Sequence, residues 1–360
     1  MNGRSARRLV LLIAAIVVLY FVLTSATVYT MADNAAKAVK GLFGLTPSAQ
    51  VVDDEPPPGP AADAPPQNII YHAAETGQPD GSTRVTLYFA DPDGVFLVPV
   101  TRTLPLTRSP IRDSLSELIR GPLADSGLAS PFFEMAVRDL ALRADGTLRV
   151  DIPTQIVQAS TGWGSAGSII ALESLIRTVS EYEAVEQVQF LTGGKVAPTL
   201  FHGLVADEPF AAQKWLSTDG RMTLYYAIFA GSRAYLVPDQ VEVAATDQAE
   251  LMRLALEGLK QGKTVGEFRL HPTLPANVNV LDVSMSGRTA VINLSGEFGN
   301  ILAMEPARQA LLLDSLVLTL TSFPGVKQVQ LLVEGEAPRE VVGKYDLAKP
   351  LGRPRWLNPE

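Results

Sequence analysis

The sequence predicts an α+β fold made of two tandem repeats, each with the element order ββαββαβ. The first supporting observation is a strand segment, residues 185–194, that returns as residues 326–335, 141 positions later. The second is that each repeat holds pairs of apolar strand patterns joined by short turns, together with two helical patterns. No histidine or pair of carboxylates recurs at this offset, so the duplication indicates a repeated scaffold and not a repeated active site.

Each repeat begins with a predicted β-hairpin and then a helix. The paired strands are predicted over residues 84–89 and 95–102 in the first repeat and over 222–229 and 233–243 in the second. The turns between them, Asp91-Pro92-Asp93-Gly94 and Ala230-Gly231-Ser232, contain the residues that favour tight turns. The predicted helix N-caps are Ser109, which precedes Pro110, and Thr246. Gly121-Pro122 is expected to end the first helix.

The second half of each repeat is predicted as another hairpin, a longer helix and a closing strand. In the first repeat the hairpin strands are expected over residues 136–143 and 147–152 and the closing strand over 185–192. In the second repeat the hairpin strands are expected over 278–285 and 289–294 and the long helix over 306–322. The long helix of the first repeat has a predicted buried stripe of Ile169, Leu172, Ile176 and Val179, with Leu175 beside it. Each repeat is therefore predicted to form one mostly antiparallel sheet covered by a layer of two helices.

Residues 9–31 are almost wholly apolar and uncharged, which is long enough to cross a membrane as a helix. Three arginines precede this segment, so residues 1–8 are predicted to stay in the cytoplasm and the rest of the chain to lie outside it. A cleaved signal peptide is the alternative, although its apolar region is usually shorter. The chain contains no cysteine, which excludes disulfides and a lipoprotein anchor.

Residues 32–83 are rich in proline and predict a semi-stiff extracytoplasmic tether, because proline favours extended backbone. The predicted organisation is cytoplasmic N-terminus 1–8, transmembrane helix 9–31, tether 32–83, domains 84–212 and 221–353, and C-terminal tail 354–360. The formal net charge of −8 argues against a nucleic-acid partner. From the predicted N-terminus and transmembrane helix, the chain is expected to be a single-pass protein of the cell membrane.

Residues with catalytic or metal-binding potential are sparse. His72, His202 and His271 stand in separate segments without the spacing of a helical metal pair, and no metal or cofactor is predicted. The spacing of Asp91 and Asp93 is like that of the first ligands in a calcium-binding loop, but the remaining ligands of such a loop are missing. No spacing of carboxylates selects the facing pair that a glycoside hydrolase needs. The sequence therefore predicts no catalytic residues.

The best candidate for a ligand contact is the loop of Gly162, Trp163 and Gly164. Glycines allow close backbone approach, and tryptophan can stack on a sugar ring. Local packing is the alternative, because Gly296-Glu297-Phe298-Gly299 occupies the corresponding place in the second repeat.

Several segments, in this order and duplicated, resemble the GerM domain of sporulation and spore germination proteins. They are Leu87-Tyr88-Phe89, Phe96-Leu97-Val98-Pro99, Gly121-Pro122, Val150-Asp151-Ile152, and 188–194, followed by Gly203 and Pro209-Phe210, with Gly343, Asp346 and Pro350-Leu351 in the second repeat. The resemblance covers residues 84–212 and 221–353. The second repeat lacks a proline after Gly258-Leu259 and has Asn293 in place of Asp151, and these departures argue against a polar role for Asp151.

The resemblance implies a membrane-associated protein that lies between the membranes of mother cell and forespore. Together with the anchor and tether, it predicts a non-enzymatic scaffold or assembly factor in sporulation, germination or cell-envelope complexes. The expected partners are the membrane, through residues 9–31, and envelope or sporulation proteins, including further copies of the chain. A peptidoglycan hydrolase and a module that binds cell-wall glycan are the alternatives.

Overall fold

The structure is a computed structural model. It describes residues 81–132, 134–160, 164–213, 215, 217, 220–244, 247–354 and 356–360. Apart from 164–166, all of these belong to one compact unit, which holds both repeats. The predicted anchor and almost all of the predicted tether lie outside the described residues, although Ser82 and Thr83 already form part of the first strand. Within the described ranges, no helix has the length and apolar character needed to span a bilayer.

The first repeat follows the predicted order, with one short helix and several short strands added. It comprises β1 (Ser82–Ala90), β2 (Leu97–Pro105), α1 (Pro110–Arg120), β3 (Asp139–Leu142), β4 (Thr147–Asp151), α2 (Thr154–Ala159), α3 (Gly164–Ser180) and β5 (Gln187–Thr192). The added strands are β6 (Lys195–Val196), β7 (Thr199–Leu200), β8 (Leu204–Val205) and β9 (Phe210–Ala211), with a 3₁₀ turn at Phe201–Gly203.

The second repeat has the same plan. It comprises β10 (Arg221–Ala230), β11 (Arg233–Glu242), α4 (Gln248–Gln261), β12 (Lys263–Val265), β13 (Phe268–Leu270), β14 (Val280–Ser286), β15 (Thr289–Leu294), a 3₁₀ helix (Gly296–Ala303), α5 (Pro306–Leu320) and β16 (Gln328–Val333). The short strands β17 (Val341–Val342), β18 (Tyr345–Asp346) and β19 (Leu351–Gly352) follow.

The expectation of one sheet per repeat was wrong. The first hairpin of each repeat, β1–β2 or β10–β11, is a two-stranded sheet of its own. The second hairpin belongs to a separate mixed sheet with the order β3-β4-β5-β6 or β14-β15-β16-β19. In these sheets β4 pairs with β5, and β15 with β16, in parallel, because a long helix connects the two strands. The remaining pairings are antiparallel.

The sequence suggested that the two helices of a repeat form one layer on a single sheet face. The structure shows that they do not. In the second repeat Leu224 of β10 faces α4, where its side chain lies close to Gly258. Tyr225, on the other face of the same strand, packs in a cluster with Leu311 and Leu318 of α5. The hairpin is thus buried on both faces, which explains its nearly continuous burial. Fully burying one such large apolar side chain stabilises the fold by about 1.5–3 kcal/mol.

Two predictions about the helices also need correction. Ile169, placed in the buried stripe of α3, is 46% exposed, whereas Leu172, Ile176 and Val179 are buried as expected. The N-cap of α4 is Asp247, whose carboxylate accepts a hydrogen bond from the Glu250 amide at 2.9 Å, and not Thr246. Aspartate is the stronger N-cap residue of the two neighbours, which agrees with its position at the cap.

A pair of helix hydroxyls holds each first hairpin to its long helix. In α3, Ser174 donates to the Tyr88 carbonyl at 2.7 Å and Thr178 accepts from the Tyr88 amide at 3.2 Å. Ser315 and Thr319 of α5 make the same two bonds with Tyr225, at 2.6 and 3.1 Å. All four hydroxyl residues are buried. The repeated scaffold is therefore fastened by side chain to backbone bonds as well as by apolar packing.

Candidate functional site at the repeat junction

The predicted ligand loop is only partly described. Gly162 and Trp163 lie outside the described residues, and Gly164 is the first residue of α3, with a φ of +74° that favours glycine. In the second repeat the corresponding Phe298 lies in the 3₁₀ helix and is 3% exposed. At that position of the second repeat the aromatic side chain packs into the core.

Histidines and acidic residues are not gathered into a metal site in the described part of the chain. His72 lies outside it, and His202 is an exposed residue of the 3₁₀ turn with a φ of +49°. The Asp91 carboxylate accepts hydrogen bonds from the amides of Val95 and Phe96, at 2.7 and 2.8 Å. This aspartate therefore organises the hairpin turn, as expected from the turn interpretation.

Asp151 and Asn293 have the same polar role, contrary to the expectation from sequence. The Asp151 carboxylate accepts a hydrogen bond from the Gly194 amide at 2.9 Å and pairs with Arg138. Asn293 accepts one from the Gly335 amide at 2.8 Å through its side-chain oxygen. Both side chains hold the turn that follows the closing strand. An asparagine can make the shared bond in place of aspartate because this bond needs only a carbonyl-type oxygen.

The two repeats meet at a junction that residues 357–360 close. We call these residues the latch. Asn358 is 3% exposed, and its side-chain amide donates to the carbonyls of Pro99 in β2 and Leu236 in β11, at 2.7 and 2.8 Å. The same amide accepts from the Leu236 N–H at 2.9 Å. The Asn358 side chain therefore replaces a peptide group beside β11 and joins one hairpin of each repeat.

Charged groups fix the end of the latch. The Arg102 guanidinium donates from Nε and Nη2 to one oxygen of Glu360, at 2.8 and 2.6 Å. It also pairs with Glu117 of α1 at 3.2 Å. The side chains of Arg102 and Glu360 are 10% and 1% exposed, so both charges are desolvated. Removing one partner would leave an uncompensated buried charge, which is strongly destabilising.

Elsewhere at the junction, the hairpin turn of the second repeat fits against a loop of the first. The Tyr235 hydroxyl donates to the Ser126 carbonyl at 2.8 Å, and Arg233 pairs with Asp125 at 2.6 Å. Gly127 lies against the backbone of Ala230, where an added Cβ would be 2.6 Å from the carbonyl carbon. Burial raises the pKa of the Tyr235 phenol from 10.0 to about 12, although Arg233 opposes the shift. This part of the junction is closed.

A polar cluster lies where the segment between the repeats passes Tyr88. The Tyr88 hydroxyl donates to Glu181 at 2.7 Å and accepts from the Trp215 indole at 3.0 Å. The Arg177 guanidinium lies 4.1 Å from the centre of the Trp215 ring. Burial, with the nearby Glu181 charge as a further cause, raises the pKa of Tyr88 well above 10.0. The cluster fixes the inter-repeat segment.

A pocket opens at the other side of the junction, with a volume of about 210 Å³. Its walls come from the first hairpin turn of repeat one, residues 91–93 and 96, and from residues 228–229, 267–269 and 271 of repeat two. The Phe229 and His271 rings lie 4.7 Å apart between their centres. Burial raises the pKa of Asp91 above 3.8, while the amides of Phe96 and Val95 oppose the shift.

Sequence reasoning missed the polar contacts that hold each first hairpin to its helix and most of the contacts at the junction. The Ser-x-x-x-Thr pairs at 174/178 and 315/319 recur at the offset of 141, so a search for repeated polar residues would have found them. The latch has no such signal, because Asn358 stands in a short segment after the second repeat that resembles an ordinary tail. Its partners are more than 100 positions away in the chain.

Comparisons with known proteins agree with this duplicated architecture. A family model described as Germane, sporulation and spore germination, matches residues 86–197 and 223–338. The structure of the tandem GerMN domains of the sporulation protein GerM from Bacillus subtilis is similar, with a TM-score of 0.61 at 19% identity, over 77% of this chain and 99% of that one. The first GerMN domain of that protein gives a TM-score of 0.32 at 17% identity, over 36% and 98%. A search of the curated proteins found no match.

Proposed function

The chain belongs to the Germane family of sporulation and spore germination domains, and from this we propose that it is a membrane-anchored extracytoplasmic scaffold that assembles cell-envelope complexes. In this proposal residues 9–31 form the anchor, residues 32–83 carry the two domains away from the bilayer, and the domains bind envelope proteins without catalysing a reaction. The setting is sporulation, germination or a related envelope process.

The observation that best supports the proposal is the set of buried contacts that fastens the two repeats to each other. Asn358, Arg102 and Tyr235 join the two domains through buried hydrogen bonds and an ion pair. A catalytic cleft between domains usually needs room for substrate and motion. A fastened double module instead presents two related surfaces at a fixed separation, which suits the positioning of other proteins.

The test is purification of the tagged full-length chain, solubilised with detergent from the membranes of cells that express it. We expect other envelope proteins to co-purify in defined ratios, and the chain to sediment with membranes after a high-salt wash. The matched control is the same chain with Asn358→Ala, which opens the junction and is expected to reduce co-purification. A chain recovered alone from both preparations would contradict the scaffold proposal.

The same preparation separates the alternatives. Incubation with purified cell-wall sacculi should release no soluble muropeptides, and release of such fragments would establish a hydrolase in place of a scaffold. Saturable sedimentation with sacculi, without cleavage and without protein partners, would identify a glycan-binding module.

A further inference from the structure

The junction contains two corresponding contacts, of which one is closed and one is open. In each case the hairpin turn of one repeat approaches the segment that follows the first helix of the other repeat. The turn of the second repeat packs on Ser126 and Gly127 and leaves no space there. The turn of the first repeat, residues 91–96, faces residues 267–271 across the 210 Å³ pocket.

Backbone pairing shows which residues of the two segments correspond. Ala90 at the end of β1 bridges to Ala129, and Ala227 near the end of β10 bridges to His271. Counting back four residues from each bridge partner places Glu267 at the position of Asp125, and counting back two places Arg269 at the position of Gly127.

The two hairpin turns correspond through the strands that follow them. Phe96-Leu97-Val98-Pro99 matches Tyr235-Leu236-Val237-Pro238. Phe96 therefore stands where Tyr235 donates its hydrogen bond, and the shorter turn of the first repeat, residues 91–96, contains neither arginine nor lysine. The first repeat thus lacks the arginine that the second repeat supplies.

In the closed contact this arginine occupies the space between the repeats. The Arg233 side chain is 14% exposed, and its guanidinium lies 2.6 Å from the Asp125 carboxylate. A side chain on Gly127 would collide with the Ala230 backbone, so the close approach depends on glycine. At the open contact Arg269 stands in place of this glycine, and the facing turn, residues 91–96, is two residues shorter than residues 228–235, so a pocket remains.

The open contact keeps the acidic half of the pair without its basic half. Glu267 forms no ion pair with any described residue, and the same holds for the neighbouring Asp93. The carboxylates of Asp93 and Glu267 line the pocket together with that of Asp91, which accepts hydrogen bonds from amides of the turn, and the basic side chains there are Arg269 and His271. Phe96 and Phe229 supply aromatic walls, which attract cations through their ring faces.

We propose that this pocket binds an arginine side chain of a protein partner, in the place that Arg233 fills at the closed contact. The guanidinium pairs with Glu267 and Asp93, and its flat face lies against the phenylalanine rings. The inference deepens the scaffold proposal and rests on it, since the partner is one of the proteins that the scaffold would assemble. Because both repeats build the pocket, only the joined pair of domains recognises that partner.

The probe for this proposal is N-acetyl-arginine N-methylamide, with the neutral and nearly isosteric citrulline derivative as its control. Binding to the full-length protein in detergent is followed by saturation-transfer NMR, which detects affinities in the roughly millimolar range expected for so small a ligand. We expect the arginine probe to bind and the citrulline probe to bind at least about fivefold more weakly. Glu267→Gln should weaken arginine binding about fivefold, a loss of one charged contact.

The matched control variant is Glu208→Gln, which changes an equally exposed carboxylate outside the pocket. It should bind the arginine probe as the natural chain does. Equal binding of arginine and citrulline, or an unchanged affinity in a folded Glu267→Gln protein, would overturn the proposal. Neither result bears on the co-purification of envelope proteins, so the scaffold proposal is tested separately.

Discussion

Asn358 shows how a single side chain controls the arrangement of two domains. It has a φ of +47°, a backbone region that asparagine tolerates better than most residues do. Its amide supplies one acceptor and two donors, and all three are used on the two hairpins. An aspartate would fit the same space but could not donate to the two carbonyls.

Replacement of this residue is the first prediction. Asn358→Ala leaves the Pro99 carbonyl and the Leu236 amide and carbonyl without partners in the interior, so we expect a loss of about 2–4 kcal/mol in the free energy of unfolding. Urea denaturation followed by circular dichroism measures it. Asn300→Ala is the control, because Asn300 is exposed and its replacement should cost less than about 0.5 kcal/mol. Equal effects of the two variants would show that the latch does not stabilise the fold.

The shared role of Asp151 and Asn293 leads to a second prediction. Asp151→Asn keeps an oxygen for the Gly194 amide and loses only the pairing with the half-exposed Arg138, so it should cost less than about 1 kcal/mol. Asp151→Ala removes the acceptor as well and should cost about 2 kcal/mol. Chemical denaturation of both variants compares these values. If the asparagine variant loses as much stability as the alanine variant, the ion pair with Arg138 and not the hydrogen bond to the turn accounts for the stabilisation.

At the scale of elements, local sequence patterns predicted those features of the fold that are determined by neighbouring residues in the chain. Strand alternation and turn residues place the hairpins, and apolar spacing places α3 and α5, because these signals lie within one element. The division into separate sheets was not predictable, since it depends on whether β2 pairs beyond its own hairpin. Ile169 was assigned to the core from its spacing in the sequence alone, whereas its exposure depends on which other elements pack against that part of α3. The junction pocket needed the arrangement of both repeats, which no local pattern contains.

The fit between the loop of the first repeat and the turn of the second leads to a third prediction. Gly127→Ala places a Cβ 2.6 Å from the Ala230 carbonyl carbon, and it also strains a backbone with a φ of +71°, so we expect a loss of about 3 kcal/mol. Thermal unfolding measures it. Gly231→Ala is the control, because its φ of +59° imposes a similar strain while the nearest atom is 3.9 Å away. It should cost about 1 kcal/mol, and an equal loss in both would assign the effect to backbone strain alone.

For the whole molecule, buried tyrosines lie on both sides of the junction and within each core. Tyr88, Tyr225, Tyr226 and Tyr345 all have pKa values raised above 10.0, chiefly by burial. A phenol with a higher pKa in the folded state than in the unfolded state holds its proton more tightly when folded. The stability that it contributes is therefore complete below the unfolded pKa and is lost as the pH rises through the folded one.

This sign gives the fourth prediction, alkaline unfolding. Since the pKa of Tyr235 is raised from 10.0 to about 12, stability should be level up to about pH 9 and fall steeply between about pH 10 and 12. Urea denaturation at a series of pH values measures the fall, and tyrosinate absorbance followed in parallel should rise together with the loss of structure. Tyrosinate formation that precedes any loss of stability would contradict the assignment to these buried phenols.

The position of the latch in the chain has a consequence for synthesis. Residues 357–360 leave the ribosome after both repeats, yet they complete the contact between them. Each repeat can therefore gain its own core during synthesis, but the final spacing between the two is set only after residues 357–360 have been made. A protein that recognises the joined pair would consequently not bind a nascent chain in which residues 357–360 are still missing, so the order of synthesis ties recognition to the completed contact.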